Sequence, residues 1–280
     1  MTNKRAIIVQ PGKLGDIILM SPVAKYYSDK GYEIDYPVFS NFKNYFKNLD
    51  YVNCIDFGIF LKNKSYFGNK RVSMFNDNSK MASTFLFDKI YELINNNSYD
   101  LVIDPCWAFP GHIVTRQKQD RLNQVIKSGE KKWISLKYEF CNVPYENRRN
   151  LKWNRDFEKE EKLLQFIKDH AYKKYGSHDF SIVHSYGDKL AEFDQVQVKN
   201  PIYFSYIKGH EIYDWIRVLE ESKSIVCIDS CLCHFVEAQD SLREKEKFYI
   251  GSEESHWSYF MFNTLKNNWI NLSKSDITDE

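Results

Sequence analysis

The sequence predicts an α/β protein built from two parallel-sheet halves. Three observations carry that prediction. Short, continuous apolar runs recur, as in strands covered on both faces. Most are followed by a Gly, Pro or Asp break and then by apolar residues at helical spacing. The alternation occurs twice, before about residue 105 and again after Gly176 and Ser177, which divides the chain into 1–175 and 176–280.

Ala6-Ile7-Ile8-Val9 is the first strand, broken by Pro11, Gly12 and Gly15. Apolar residues at Ile17, Ile18, Val23 and Ala24 predict a helix ending near Gly31, with Pro22 as a kink or restart inside it. Glu33 to Val38 is the second strand. Phe42, Tyr45, Phe46 and Leu49, at i, i+3, i+4 and i+7, predict a second helix before a third strand at 52–57. This β-α-β-α-β order implies parallel pairing with right-handed crossovers. Residues 58–80 read as a polar exposed loop, 81–95 as a helix, and Tyr99 to Asp104 as a strand stopped by Pro105.

A helix over 156–175, with Leu163, Leu164, Phe166 and Ile167 inward, closes the first half. The second half begins with strands at 180–184 and 201–207. A helix at 211–222 follows, with Ile212, Trp215, Ile216 and Leu219 on one face. Ser224 to Ile228 is a strand ending at Asp229, a helix starts near Ser230, and 247–250 is a further strand. A last helix over 258–267 is a candidate to cross back to the first half.

Composition narrows the function. The 280 residues carry a net charge of +1 and are 43% hydrophobic, so global charge announces neither nucleic acid nor membrane. No apolar run approaches the roughly 20 residues of a membrane span, and the apolar stretch after Arg5 is too short for a signal peptide. The six cysteines form no CxxC pair, which fits a reduced, cytoplasmic protein. Cys231-Leu232-Cys233-His234 lacks two further ligands for zinc, so no metal or cofactor is expected. Aromatic residues at 16%, with abundant Lys and Asn, fit an AT-rich genome such as that of a phage or low-GC bacterium. One window departs from this balance: 108–155 holds eleven basic and four acidic residues, +7, interleaved with Trp133, Tyr138, Phe140, Tyr145 and Trp153.

Two turns carry chemistry. Pro11-Gly12-Lys13-Leu14-Gly15-Asp16 joins the first strand to the first helix, at the carboxyl end of a strand, where open parallel sheets bind ligands. It is neither a P-loop nor GxGxxG. Asp16 is there a lone carboxylate, either a helix-start residue favoured by the dipole or a general base beside a hydroxyl. The second turn, Asp229-Ser230-Cys231-Leu232-Cys233-His234, runs from a buried strand into a helix. Its backbone N–H groups suit a diphosphate, and His234 lies one turn beyond Ser230; an ordinary capped helix is the alternative.

Together these turns resemble the heptosyltransferases of glycosyltransferase family 9. The matches are Gly15-Asp16 followed by Leu19-Met20-Ser21-Pro22, the strand Tyr99 to Asp104, and Asp229-Ser230-Cys231-Leu232-Cys233-His234 with the helix and strand before it. Cys231 stands where the family has glycine. The resemblance implies a GT-B fold, two Rossmann-like domains facing a cleft, with acceptor bound by the first domain and nucleotide-sugar donor by the second. It implies inverting, metal-independent transfer of a hexosyl- or pentosyl-type sugar, with Asp16 taking the acceptor proton; the chain contains no Asp-x-Asp. The donor side comprises Asp229, Ser230, Cys231, Leu232 and His234, joined by Ser185, Lys208, His210, Gly251 and Ser252. His256 and Trp257 are candidates for the same cleft.

The +7 window suits a polyanionic acceptor through Lys13, Arg116, Arg121, Lys131, Lys132, Arg148 and Arg149, a solvated basic surface being the alternative. Lipopolysaccharide core is the family's usual acceptor. DNA carrying hydroxymethylated bases, glycosylated in the host cytoplasm by a phage enzyme, is weakly favoured by size and composition. A polyanion-binding module without catalysis and a sugar-nucleotide epimerase of similar shape are the other readings.

Overall fold

The computed structural model describes residues 4–59, 77–105, 133–184, 198–228, 230–250 and 268–272. Among these, residues up to Asn154 form one compact unit and residues from Arg155 a second.

The first unit is a four-stranded parallel sheet in the order β3-β2-β1-β4. Its strands are β1 (Lys4–Ile8), β2 (Tyr32–Val38), β3 (Asn53–Asp56) and β4 (Leu101–Ile103). Ala6, Ile7 and Ile8 are fully buried, which is why they read as an unbroken apolar run. Asp35 ties the strands together. It accepts from Arg5 on β1 at 2.7 Å, from Asn53 on β3 at 2.6 Å and from the hydroxyl of Tyr99, just before β4, at 2.6 Å.

Helix α1 (Leu14–Asp29) follows β1 and contains Pro22 without being divided by it. Ser21 Oγ donates to Ile17 O at 2.8 Å, one turn back, and meets the Tyr45 hydroxyl at 3.0 Å. The expected helix over Phe42 to Leu49 is instead a 3-10 helix, Ser40–Asn48. Helix α2 (Asp77–Asn96) covers the span expected at 81–95 and buries Leu86, Phe87 and Ile90. Most of the loop expected at 58–80 lies outside the described residues.

Within the basic window an unexpected helix appears, α3 (Trp133–Phe140), followed by a 3-10 turn, Tyr145–Arg149. Two phenols fasten it to α1: Tyr138 donates to Leu19 O at 2.8 Å, and Tyr27 donates to Cys141 O at 2.6 Å. Ile134, Lys137, Tyr138 and Cys141, spaced i, i+3, i+4 and i+7, form its buried stripe.

The second unit opens with α4 (Phe157–Tyr175), capped by Asp156 and ended by Gly176 at φ 69°. The sequence assigned this helix to the first half; it belongs with the second. Glu160, fully buried, takes a bidentate Arg155, which also reaches Glu220 at 3.6 Å. Its buried stripe is Glu160, Leu163, Leu164, Ile167 and Ala171, and Phe166, expected inward, is 55% exposed.

The second sheet is also parallel, in the order β6-β5-β7-β8-β9. Its strands are β5 (Ser181–His184), β6 (Pro201–Tyr203), β7 (Ser224–Ile228), β8 (Glu246–Ile250) and β9 (Trp269–Leu272). The strand expected to reach residue 207 stops at Tyr203, and β9 was not expected at all. A 3-10 turn, Ile212–Trp215, leads into α5 (Ile216–Glu221), and α6 (Cys231–Glu237) follows β7. Val183, Val226, Ile228 and Ile250 form a core cluster at this sheet. The helix expected over 258–267 lies outside the described residues. No described helix is long and apolar enough to cross a membrane.

Candidate active site

Strand order locates a site in each unit before any side chain is considered. In the first sheet the chain moves from β1 to β2 on one side and later returns to place β4 on the other. The reversal falls between β1 and β4, and ligands of such sheets bind beyond the carboxyl ends of the strands at that point. In the second sheet the same reversal falls between β5 and β7.

At the first switch point lies the turn from β1 into α1. Val9 N–H donates to Ile103 O at 2.8 Å, holding the two strand ends together. Asp104, just past β4, is buried. Gly12 is buried beneath two rings: a Cβ there would stand 3.1 Å from both Phe39 and Phe42. Phe39 N–H donates to Pro11 O at 3.1 Å. This glycine therefore serves close packing of the turn on the segment after β2.

Asp16 lies in the first turn of α1, where its charge suits the helix dipole. Its side chain makes a specific contact: Asp16 Oδ1 accepts from Lys137 Nζ at 2.5 Å. The lysine side chain is 1% exposed and the aspartate 13%. Lys137 also donates to Gln10 Oε1 at 3.2 Å, and Gln10 Nε2 donates to Gly12 O at 2.7 Å. Lys13 is exposed at the N-cap position of α1.

The remaining basic candidates divide. Arg148 is buried, its guanidinium 4.4 Å from the centre of the Tyr145 ring, and Arg149 is half-buried. Arg116, Arg121, Lys131 and Lys132 lie outside the described residues. Lys137 was counted in the basic window but not singled out. Its signal was there: a lysine on the buried face of Ile134, Tyr138 and Cys141.

At the second switch point, His184 closes β5 and Ser230 follows β7. His184 Nδ1 and Ser230 Oγ are 2.8 Å apart. Ser230 is the N-cap of α6 by position, with its side chain turned to the histidine and making no cap hydrogen bond. Burial alone holds His184 down at about 3, so its imidazole is neutral at physiological pH. Phe204 stands edge-on to this ring at 4.8 Å, with Trp215 behind it at 4.7 Å. His184 was read from sequence only as a strand residue.

Cys231, in the glycine position of the family pattern, has its thiol pushed up to about 12 by burial. A neutral thiol there adds bulk over glycine without adding charge. His234 is buried, with its N–H 3.3 Å from Ser230 O, one turn along as expected. Leu232 is fully buried in the core. Lys208 is exposed in the turn before Gly209, while His210 Nδ1 lies 3.7 Å from Asp214. Asp214 also accepts from Glu211 N–H at 2.8 Å. Ser185, Asp229, Gly251, Ser252, His256 and Trp257 lie outside the described residues.

No protein-family model and no curated protein sequence matches the chain. Solved structures do. A glycosyl transferase family 9 protein from Veillonella parvula superposes with a TM-score of 0.54 at 12% identity, covering 98% of this chain and 86% of its own. Escherichia coli heptosyltransferase WaaC with ADP gives 0.49 at 13% identity, covering 96% and 93%. Arabidopsis thaliana UGT89C1 complexed with UDP gives 0.48 at 8%, covering 97% and 86%. The first likeness establishes the fold: the chain has the GT-B architecture of family 9 glycosyltransferases, as the resemblance in its sequence implied.

Proposed function

We propose that this chain is an inverting, metal-independent glycosyltransferase that uses a nucleotide-diphosphate sugar, with Asp16 as its general base. The observation that carries the reading is the partly exposed Asp16 carboxylate at the first switch point, held through one oxygen by a buried ammonium. Its Oδ2 takes no hydrogen bond among the described residues. In the reaction the acceptor O–H bond breaks and the proton passes to Asp16. The acceptor oxygen bonds the anomeric carbon, and the bond from that carbon to the diphosphate breaks with its electron pair. In the second unit, the polar turn around Ser230 and His234 is the place for that diphosphate.

The acceptor we propose is a polyanion, with hydroxymethylated DNA ahead of lipopolysaccharide core. The basic window supports it less strongly than its net charge suggests. Three of its cations are already engaged within the protein: Lys137 on Asp16, Arg148 on Tyr145 and Arg155 on Glu160. The support rests on the others.

A thermal-shift panel of UDP, ADP, GDP and CMP, on the wild type and His234→Ala, tests the donor side. A nucleotide at 100 times its Kd adds about 2.7 kcal/mol of stability. One nucleotide giving that rise, lost in the variant, supports the reading; no rise for any removes it. For the base, Asp16→Asn lowers turnover about 10²- to 10⁴-fold while keeping the nucleotide shift. Undiminished turnover takes Asp16 out of the mechanism.

A further inference from the structure

We propose that Lys137 is the positioning residue of the base: it fixes the Asp16 carboxylate so that Oδ2 faces the acceptor hydroxyl. This rests on the transferase reading above and extends it to a residue that neither the motifs nor the fold assigns.

Packing does not explain this lysine. It occupies one position of a buried stripe whose other members are Ile134, Tyr138 and Cys141. A leucine or methionine would serve a helix that only covered α1. An ammonium there loses its hydration, a cost recovered only where geometry and partners are good. The partners present are specific. Asp16 Oδ1 accepts at 2.5 Å and Gln10 Oε1 at 3.2 Å.

Gln10 is itself fully buried, and its amide is oriented by donating to Gly12 O at 2.7 Å. A chain of hydrogen bonds therefore runs from the Gly12 carbonyl through Gln10 and Lys137 to Asp16. Both ends lie in the one turn that joins β1 to α1. The turn's backbone and its carboxylate are braced against each other through a side chain from 121 residues away.

The division of labour follows from the two carboxylate oxygens. Oδ1 is occupied by Lys137; Oδ2 is left for chemistry. A carboxylate free to rotate presents either oxygen at a range of angles, whereas one pinned through Oδ1 presents Oδ2 in a single direction. Alignment of that kind is where a shift of about 1 Å costs on the order of 100-fold in rate. Lys137 takes no proton in the reaction. It stays an ammonium while the acceptor proton moves to Oδ2, so the charge and atom balance of the transfer is unchanged.

The test uses the full chain with UDP-glucose, ADP-glucose and GDP-mannose as donors. The acceptors are hydroxymethylcytosine-containing duplex DNA and lipopolysaccharide core. Lys137→Met keeps most of the side chain's length and removes its charge and its hydrogen-bond donor. Expected is a fall in kcat of about 10- to 100-fold with donor KM changed less than about twofold. In an Asp16→Asn background, followed as single turnovers over hours, Lys137→Met costs nothing further, because the group it positions is gone. An unchanged kcat overturns the proposal. So does an equal loss in both backgrounds, which would make Lys137 merely structural. Should Lys137→Met fail to fold, Lys137→Leu, which also removes the donor toward Oδ1, is read by the same two comparisons. A wild type that turns over none of the donors removes the transferase reading and this inference with it. That result is distinct from an active wild type with an indifferent lysine.

Discussion

Lowering the pH from 7 to 5 should destabilise the second unit through one residue, His184. Its imidazole is fully buried and held neutral down to about 3, against an ordinary value of 6.5. Between those values the unfolded chain binds a proton that the folded chain refuses, so stability rises with pH and is lost as pH falls through 6.5. At pH 5 the unfolded imidazole is almost wholly protonated. The resulting loss is about 2 kcal/mol relative to the neutral form, growing to about 3 kcal/mol by pH 4. Urea unfolding at intervals from pH 7 to 5, with tryptophan fluorescence as the probe, measures the slope. The control is His184→Gln, which lowers stability at pH 7 but removes the imidazole's share of the slope. If wild type and variant lose the same stability between pH 7 and 5, His184 is not held neutral and the account of the β5 end is wrong.

Three further outcomes follow from described contacts. Arg155→Met leaves the fully buried Glu160 carboxylate without its bidentate partner and should cost about 3–5 kcal/mol, read by urea denaturation. Gly12→Ala puts a methyl 3.1 Å from two phenylalanine rings and should cost about 1–3 kcal/mol; a neutral effect would show that Phe39 and Phe42 can yield. At alkaline pH, the fully buried Tyr138 hydroxyl ionises far above its ordinary 10 because burial disfavours the phenolate. The unfolded chain therefore releases a proton that the folded chain keeps. Stability should fall by about 1.4 kcal/mol per pH unit above 10 for this residue, and Tyr138→Phe should lessen that slope.

Much of the fold was legible because its central strands are buried on both faces. β1 and β7 show up as unbroken apolar runs, and only a strand or a short helix segment allows that. What escaped has physical reasons. Over nine residues a period of 3 and a period of 3.6 bring the same side chains inward, so Phe42, Tyr45 and Phe46 did not distinguish 3-10 from α-helix. β9 is a four-residue edge strand whose Ile270 is 47% exposed, which leaves almost no pattern to read. Helix α3 was obscured by its surroundings: it holds one lysine and one glutamate, but it lies inside a window read as basic surface. Of the site, Asp16 and Ser230 were visible through their turns, because a strand-to-helix break is a local signal. Their partners were not. Lys137 and His184 are brought to them by strand order and helix docking, which no local spacing encodes.

The two phenol-to-carbonyl bonds between α1 and α3 also bear on biosynthesis. Asp16 leaves the ribosome early, but the helix that supplies Lys137 is made 121 residues later, and Tyr27 docks only once Cys141 has emerged. At translation rates of roughly 5–20 residues per second, that is a wait of about 6–24 s. A nascent chain in that interval can pair β1 with β2 and still lack a braced carboxylate. A fragment ending before residue 133 would carry the aspartate and the turn with no ammonium to pin them, which makes the site a property of the completed first unit.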